Sequence, residues 1–229
     1  MSSTGRTGGL RHPDDFYTTP LWATLAILPK LGPLAGAYAI DPCAGKGAIL
    51  DAVRQYAPTS TRLGLELDEE RALAAKKEHQ THIRDALSPE PWWPGRRRKT
   101  VALFNPPFKS AMEFVLRSLV EMDPKRDTTA ALLRLNWLAS KERKAFHRKH
   151  PSDVYVLDRR PSFAISLKCS VKKEGCGWSQ LFELGIELPV ECPECGKDEA
   201  LEKVTSDSND YGWYVWGPGR GNRWYILDT

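Results

Sequence analysis

Short apolar runs alternate with longer amphipathic stretches from Asp41 to about Pro161. The runs have the length of strands, and the stretches between them repeat apolar residues every three or four positions, as helices do. The strand candidates are YAIDP, LGLEL, VALFNPP, AALLRLNWL and DVYVLD, and the helix candidates are PLWATLAILPKL, AILDAVRQY, EERALAAKKEH, AMEFVLRSLVEM and SKERKAFHRKH. Strands that alternate with helices predict an α/β fold with a parallel sheet covered on both faces.

The pattern changes after about Leu167. Four cysteines and several glycines lie between Lys168 and Lys203 without any long periodic run, which predicts an inserted module. The aromatic runs YGWYVW and RWYIL follow, separated by GPGRGN. Such runs around a glycine-rich turn are typical of a hairpin, so we expect an antiparallel addition at one edge of the sheet.

The amino-acid composition is that of a globular protein. The chain has 229 residues, which suits one domain with a small appendage. Hydrophobic residues make up 41% and charged residues 27%, as in a globular protein rather than a disordered or fibrous one. The 33 basic and 29 acidic residues give a net charge of +4, which is compatible with a nucleic-acid partner but too small for binding by charge alone.

The most apolar stretch, residues 22–40, does not predict a membrane span, because Pro29, Gly32 and Pro33 interrupt it. The first residues, MSSTGRTGGLRHPDD, lack the apolar core of a secretion signal and predict a flexible tail. We therefore expect a cytoplasmic protein without a membrane partner.

A strand, a tight glycine turn and a helix start follow one another in residues 39–50, AIDPCAGKGAIL. Gly45 and Gly47 lack Cβ, so the backbone can approach a ligand closely there, and amides at the helix start favour a polar group. Glu66 ends the next strand, at the spacing of about 20 residues at which a carboxylate binds a ribose. Taken alone, the loop can also be a simple turn.

Two related motifs are excluded at this loop. Lys46 lies between the glycines and no GK[ST] follows, so the phosphate-binding Walker pattern is absent. Leu50 stands where the dinucleotide fingerprint has its third glycine. An adenosine ligand without a pyrophosphate therefore fits better than NAD.

The buried strand candidate VALF stops at Asn105-Pro106-Pro107-Phe108. Two prolines fix the backbone and withdraw two N–H donors, which leaves a rigid rim of carbonyls at the carboxyl end of a parallel strand. The Asn105 side-chain oxygen and the Pro106 carbonyl can accept both N–H bonds of a planar amino group, and Phe108 can stack on its ring. Attack of that amine on a sulfonium methyl needs alignment more than a strong base. The alternative is a proline turn with Phe108 in the core.

In combination, these motifs resemble those of class I S-adenosylmethionine-dependent methyltransferases, specifically the amino-methyltransferases that make N6-methyladenine in DNA. The phage and prophage adenine methyltransferases are the most similar group. The resemblance covers residues 15–163 and 206–227. It implies a Rossmann-like sheet of seven strands, mostly parallel with one antiparallel, and S-adenosyl-L-methionine as methyl donor.

The resemblance also implies roles for individual residues. Tyr17 and Thr18 match a segment that closes over the cofactor, and Asp85 matches the acid near the cofactor adenine, with a helix cap as the alternative. The tetrapeptide from Asn105 to Phe108 matches the catalytic motif, so Asn105, Pro106, Pro107 and Phe108 are the implied catalytic residues. The implied cofactor-binding residues are Tyr17, Thr18, Asp41, Pro42, Gly45, Gly47, Glu66, Asp85 and Asn105.

The inserted module carries a metal-ligand pattern. Cys169-x6-Cys176 and Cys192-Pro-Glu-Cys195-Gly provide four thiolates, the ligand set of structural Zn²⁺. A segment of roughly 40 residues buries little apolar core, so a metal supplies stability. We therefore expect a zinc-ribbon-like insertion, with disulfides as the alternative. Nearby Lys168, Lys172, Lys173 and Trp178 suggest a nucleic-acid surface, although the module can also be a rigid clip.

These inferences predict three segments: a flexible tail over residues 1–14, a methyltransferase domain over residues 15–166 and 205–229, and the zinc-binding insertion over residues 167–204. Two basic runs can contact phosphates, or can simply be solvated faces. They are Arg96 to Lys99, and Lys141, Arg143, Lys144, Arg148 and Lys149.

We expect transfer of a methyl group to the N6 amino group of a flipped adenine in DNA, in a bacterial or phage-infected cell. The same chemistry on an RNA base or on a protein glutamine is the alternative within the enzyme class. A catalytically silent, zinc-containing nucleic-acid-binding protein is the alternative outside it. The target sequence, the oligomeric state and any partner nuclease stay open.

Overall fold

The computed structural model describes residues 17–93, 98–170, 176, 178–183, 187–197, 201–205 and 209–229. The predicted tail and four predicted phosphate contacts, Arg96, Arg97, Lys172 and Lys173, lie outside these described residues. The fold divides into two compact units. The larger holds Thr19–Pro161 and Asn209–Thr229, and the smaller holds Ser162–Ser208 together with Tyr17 and Thr18.

Most strands and helices form where the hydrophobic pattern predicts them. The strands are β1 Tyr38–Asp41, β2 Thr61–Glu66, β3 Gln80–Ile83, β4 Thr100–Phe104, β5 Thr128–Arg134, β6 Asp153–Leu157, β7 Ala164–Cys169, β8 Ser179–Glu183, β9 Leu201–Thr205, β10 Tyr211–Trp216 and β11 Trp224–Leu227. The helices are α1 Leu21–Ile27, α2 Ala48–Tyr56, α3 Glu69–Lys76, α4 Ala111–Glu121 and α5 Lys144–Lys149, with short 3-10 turns at Leu28–Lys30, Phe108–Ser110 and Leu135–Leu138. In the described part of the chain, none of these helices has the length and apolarity to span a membrane.

The larger unit is built on one eight-stranded sheet in the order β11-β6-β10-β5-β4-β1-β2-β3. Neighbouring strands are parallel except at β10, which is antiparallel to both β5 and β6. The predicted α/β class, with a mostly parallel sheet and one antiparallel strand, is therefore confirmed. The sheet has one strand more than the expected seven, because β11 adds to its edge.

Helices and loops cover both faces of the sheet centre. Every residue of β4 and of β10 is buried. Because successive side chains of a strand point to opposite faces, a strand that is buried throughout must be covered on both. α2 and α4 contribute to this cover through their apolar positions, such as Leu50, Val53 and Val115.

The smaller unit contains a three-stranded antiparallel sheet in the order β8-β7-β9. Cys169 ends β7, and the other three cysteines of the predicted metal site lie in the segments between these strands. A sheet of this size has little interior, which agrees with the physical reason for expecting a metal in this segment.

The predicted hairpin between the last two aromatic runs is wrong. β10 lies inside the sheet between β5 and β6, and β11 pairs in parallel with β6, so the two strands are not neighbours. The reason lies at Asp153, the fully buried first residue of β6. Its Oδ1 accepts hydrogen bonds from the Gly221 amide at 2.9 Å and from Arg223 Nε at 3.1 Å, and its Oδ2 accepts one from Arg223 Nη2 at 2.8 Å. These bonds hold the connecting loop across the start of β6, so the chain returns on the far side of that strand.

Asp153→Ala should lower the free energy of unfolding by about 2–4 kcal/mol, because it removes a buried acceptor from several donors at once. Burial disfavours the charged form of Asp153, but its hydrogen bonds with Arg223 and two backbone amides outweigh this and lower its pKa. Urea unfolding measures the effect. Asp210→Ala is the matched control, because Asp210 pairs with Arg160 at an exposed site and should cost less than about 1 kcal/mol. Equal losses in the two variants would contradict this account of the loop.

Candidate active site

The predicted site residues of the larger unit gather at one edge of the sheet. β1, β2 and β4 are parallel, and β1 lies between the other two. Their carboxyl ends therefore meet at the same edge, which is where open α/β sheets bind ligands. Asp41 ends β1, Glu66 ends β2, and Asn105 directly follows β4.

The glycine turn after β1 requires glycine at two positions. Gly45 has φ 53° and Gly47 has φ 95°, both in the left-handed region that side chains disfavour. A Cβ on Gly47 would also lie 3.1 Å from the His79 ring. Gly47 immediately precedes α2, so the turn delivers the chain into a helix whose first amide groups lie at the ligand-binding edge.

Glu66 joins this turn to the end of β2. Its side chain is buried, and its Oε2 accepts a hydrogen bond from the Gly45 amide at 2.7 Å. Its Oε1 accepts a second one from the Asp68 amide at 3.0 Å. Two carboxylate oxygens offer about four acceptor positions, so Glu66 holds the backbone and still has the capacity to accept bonds from two ligand hydroxyls.

Burial changes the titration of Asp41 and Cys43. Burial, assisted by the negative charge of Glu66, raises the pKa of Asp41 to about 7, although the Cys43 amide donates to it at 3.1 Å. Burial and the two nearby carboxylates raise the pKa of the Cys43 thiol well above its ordinary value. A neutral thiol is a poor nucleophile and can donate a hydrogen bond, which is the role of Cys43 here.

The turn after β4 is held in place from two sides. The Cys43 thiol donates to the main-chain carbonyl of Asn105 at 3.4 Å, which links the β4 turn directly to the glycine turn. On the other side, Asn105 Nδ2 donates to Thr19 Oγ1 at 3.1 Å. Because the amide nitrogen is engaged by Thr19, the side-chain oxygen of Asn105 is the atom that retains hydrogen-bonding capacity. Pro106 is buried next to it.

Phe108 lies against a small aromatic and cationic cluster. The Arg134 guanidinium carbon lies 4.0 Å from the centre of the Phe108 ring, a cation–π distance. Arg134 Nε also donates to the Tyr211 hydroxyl at 3.0 Å, and the Phe108 and Tyr211 ring centres are 6.3 Å apart. Phe108 is only partly buried, so it is held by the ends of β5 and β10 rather than enclosed in the core.

Other predicted cofactor residues have different surroundings. Asp85 is exposed, and its Oδ1 accepts a hydrogen bond from the Leu87 amide at 2.8 Å, which is the local turn-forming role of Asp. Tyr17 and Thr18 belong to the smaller unit, where the Tyr17 ring lies 6.2 Å from that of Phe163. Pro42 is buried within the turn after β1. The cofactor roles of these residues stay predictions.

The four late cysteines form one cluster in the smaller unit. The sulfur atoms of Cys169, Cys176, Cys192 and Cys195 all lie within 4.8 Å of one another. Two of the distances are 3.8 Å, between Cys169 and Cys195, and 3.7 Å, between Cys176 and Cys192. These are far longer than a disulfide bond, but a tetrahedral ion with bonds of about 2.3 Å places its sulfurs roughly 3.8 Å apart. The cluster can therefore hold a metal ion.

The tight turn that begins at Cys192 favours the thiolate form of this cysteine. Gly196 has φ 65°, and its amide donates to the Cys192 carbonyl at 2.8 Å, which closes a tight turn. Burial alone would raise the pKa of Cys192, but hydrogen bonds from the Cys195 and Glu194 amides outweigh it and lower that pKa to about 7. A thiolate is the form that binds a metal.

No protein-family model matches this chain, and no curated protein sequence matches it. Solved structures do match. A modification subunit of a putative type I restriction enzyme from Vibrio vulnificus has a TM-score of 0.58 at 13% identity over 93% of this chain. A putative RNA methyltransferase from Pyrococcus horikoshii has a TM-score of 0.52 at 16% identity and covers 93% of both chains. The 23S rRNA methyltransferase ErmE has a TM-score of 0.52 at 10% identity, over 93% of this chain and 73% of its own.

The chain shares its fold with these three solved structures. This chain spans about half of the Vibrio modification subunit, 47% of its length. Identities of this size show the shared fold, and the activity has to be argued from the site itself.

The structure adds three residues to the predicted site. Thr19 orients Asn105, and Arg134 and Tyr211 hold Phe108. Thr19 follows Thr18 in the N-terminal segment that the sequence already associated with the cofactor. Arg134 carries no sequence signal of its own, and Tyr211 stands out only as the start of the aromatic run YGWYVW, because the role of both residues depends on the pairing of β5 with β10 in the sheet.

Asp41→Asn should stabilise the ligand-free protein at pH 8 and have little effect at pH 4. The folded-state pKa of about 7 exceeds the ordinary value of 3.8, so wild-type stability falls as pH rises between these values. The asparagine removes this loss, which amounts to at most about 4 kcal/mol. Urea unfolding at both pH values tests this. A variant that is destabilised by the same amount at pH 4 and pH 8 would contradict the raised pKa.

Proposed function

We propose that this chain is an S-adenosylmethionine-dependent methyltransferase that acts on the N6 amino group of adenine in DNA. The observation that carries the proposal is the junction between the two turns. The Asn105 turn, shaped to hold an amino group, is hydrogen-bonded through Cys43 to the glycine turn that Glu66 holds. A methyl donor above one turn and an amine at the other would therefore be neighbours.

The residues of the glycine turn fit S-adenosylmethionine. Glu66 retains acceptor capacity for the ribose hydroxyls, and no larger side chain than glycine occupies the tightest positions of the turn. Asp41 is poised near pH 7, so a ligand ammonium group close to it would favour its charged form. When bound, the donor supplies an electrophilic methyl group on a sulfonium.

The chain's own residues then align the acceptor. The Asn105 side-chain oxygen and the Pro106 carbonyl accept the two N–H bonds of the amine, which directs the nitrogen lone pair toward the methyl group. Phe108 stacks on the base and fixes its plane. This arrangement supplies orientation, which is what a reaction with a strong electrophile requires. DNA adenine is favoured because the Asn-Pro-Pro-Phe motif and its setting resemble those of the adenine-N6 enzymes.

An RNA base is the second candidate. Two of the similar structures are named as RNA methyltransferases, and one of them matches this chain over nearly the full length of both. Incubation with a labelled methyl donor and duplex DNA, RNA or a glutamine peptide, followed by digestion and mass spectrometry, separates the candidates. Labelled N6-methyladenine in DNA supports the proposal, whereas label confined to RNA or peptide contradicts it. The absence of label in every substrate would favour the catalytically silent alternative.

Asn105→Ala should retain affinity for the methyl donor within about threefold and lose a hundredfold or more in turnover, because it removes alignment and not the cofactor contacts. Calorimetry with the donor and a methyl-transfer assay measure the two quantities. Loss of donor binding in a variant with an unchanged melting temperature would contradict the catalytic role of Asn105.

Thr19→Val should lower kcat about tenfold and leave donor affinity unchanged, because Asn105 loses the acceptor that fixes its side-chain orientation. Thr19→Ser retains the hydroxyl and should restore most of kcat. Steady-state kinetics of both variants test the interaction. A kcat loss in Thr19→Ser with none in Thr19→Val would show that the methyl group of Thr19 matters and the hydrogen bond does not.

We further propose that the four cysteines bind a structural Zn²⁺ and that residues 167–204 form an insertion in a catalytic domain of residues 15–166 and 205–229. The sulfur spacing and the all-thiolate set fit a closed zinc site. The purified chain should contain about one zinc, Cys192→Ser should lose most of it, and the control Cys43→Ser should keep it. Metal analysis of the three proteins tests this. Wild-type protein without metal and with the four thiols free would contradict the assignment.

A further inference from the structure

We propose that a cleft beside α5 binds the phosphate backbone of the nucleic-acid substrate. This inference rests on the proposed function, and it assigns a second contact surface outside the candidate active site. The cleft has a volume of about 540 Å³. It is lined by residues 138–141, by Lys144, His147 and Arg148, and by Asn222.

The charge of the cleft is unbalanced. Lys141, Lys144 and Arg148 line it and are exposed, and no carboxylate is among its lining residues. Across the described residues, none of these three cations forms an ion pair with an aspartate or a glutamate. The nearest acid in sequence, Glu142, accepts a hydrogen bond from Ser140. Three unpaired cations at one concave surface create a positive potential that attracts an anion.

The spacing of the cations suits a chain of anions. Lys144 and Arg148 are four residues apart on α5, so they lie on one face of that helix, and Lys141 precedes them by one turn. The rise from Lys144 to Arg148 is roughly 6 Å along α5, at about 1.5 Å per residue, and Lys141 extends the row into the turn before the helix. A linear polyanion contacts all three cations at once, whereas a free phosphate cannot.

The helix that lines the cleft packs against Trp137 through His147. Arg143 is not among the lining residues, and it packs beneath them: its Nε donates to the Trp137 carbonyl at 2.6 Å and its guanidinium lies over the Trp137 ring. Trp137 is buried and makes edge-to-face contacts with Phe146 and His147. His147 Nε2 is buried without a hydrogen-bond partner in the described part of the chain.

The position of the cleft agrees with this role. The loop that forms its wall follows β5, and the Asn105 turn follows β4, the parallel neighbour of β5. Both therefore begin at the same edge of the sheet. A strand whose target base reaches Phe108 can continue along α5 and place its phosphates on the three cations. Lys99, from the other predicted basic run, differs, because its Nζ donates to the Leu31 carbonyl at 3.0 Å and so serves the fold.

The test compares two triple variants of the full chain. Lys141→Gln, Lys144→Gln and Arg148→Gln remove the charge of the cleft. The control variant carries Lys76→Gln, Lys77→Gln and Lys125→Gln, which removes three exposed cations elsewhere. Fluorescence anisotropy with a labelled DNA duplex, measured from 50 to 300 mM salt, gives the affinity and its salt dependence. Melting temperatures confirm that both variants are folded.

The cleft variant should bind at least tenfold more weakly at low salt, and the slope of log affinity against log salt should shrink by about two to three. The control variant should keep both values close to wild type. Equal behaviour of the two variants would overturn the proposal, as would displacement of the duplex by polyglutamate as efficiently as by unlabelled DNA.

A methyl-transfer assay separates this proposal from the proposed function. The cleft variant should raise KM for nucleic acid tenfold or more and leave kcat within about twofold. If no nucleic acid is methylated by wild type but the cleft variant still loses salt-dependent binding, the proposed function fails and the cleft assignment stands. If wild type methylates and the cleft variant has an unchanged KM, the cleft assignment fails alone.

Discussion

A buried hydrogen bond between Glu66 and the Gly45 amide holds the ends of two central strands together. A charged acceptor inside a protein must be satisfied, and here the donor that satisfies it is the backbone of the glycine turn. The turn is thereby fixed at the edge of the sheet, and α2 starts from it. The Cys43 thiol, in the same turn, then reaches the carbonyl of Asn105 at the end of β4. One carboxylate thus determines the relative positions of the donor side and the acceptor side of the candidate site.

The Asn105 turn adds rigidity where the proposed chemistry needs it. Two prolines limit the backbone, and the hydrogen bond to Thr19 limits the side chain. A planar amine is a weak nucleophile, and an enzyme that cannot make it stronger with a base must instead hold it in the reactive orientation. The Phe108 ring is held in a comparable way by Arg134 and Tyr211, from strands that the chain reaches much later. Residues that are far apart in the sequence therefore hold Asn105 and Phe108 in place.

Hydrophobic periodicity predicts the central strands well, because β1, β4 and β5 are mostly apolar, and β1 and β4 end at conspicuous glycine or proline turns. It misses β3, Gln80–Ile83, which lies at the edge of the sheet and is largely polar. It also places β10 and β11 in a hairpin, because local turn signals carry no information about Asp153, some 70 residues earlier in the chain, which redirects the loop.

Site residues within short sequence motifs can be predicted from the sequence, whereas site residues that meet across the sheet cannot. Gly45, Glu66 and Asn105 belong to compact motifs whose chemistry can be read from adjacent residues. Arg134 and Tyr211 meet only through strand pairing, and that register is a property of the whole sheet. Asp85 is a different case. Its position in the sequence predicts a contact with the cofactor adenine, but its observed hydrogen bond, from the Leu87 amide, stabilises a local turn.

The most direct test of this account is a structure of the chain with a non-reactive analogue of S-adenosylmethionine and an oligonucleotide that contains adenine. Glu66 should contact the ribose, and Asn105 Oδ1 and the Pro106 carbonyl should each lie about 2.7–3.2 Å from the adenine amino nitrogen. An analogue bound away from the glycine turn, or an adenine whose amino group faces away from Asn105, would contradict it.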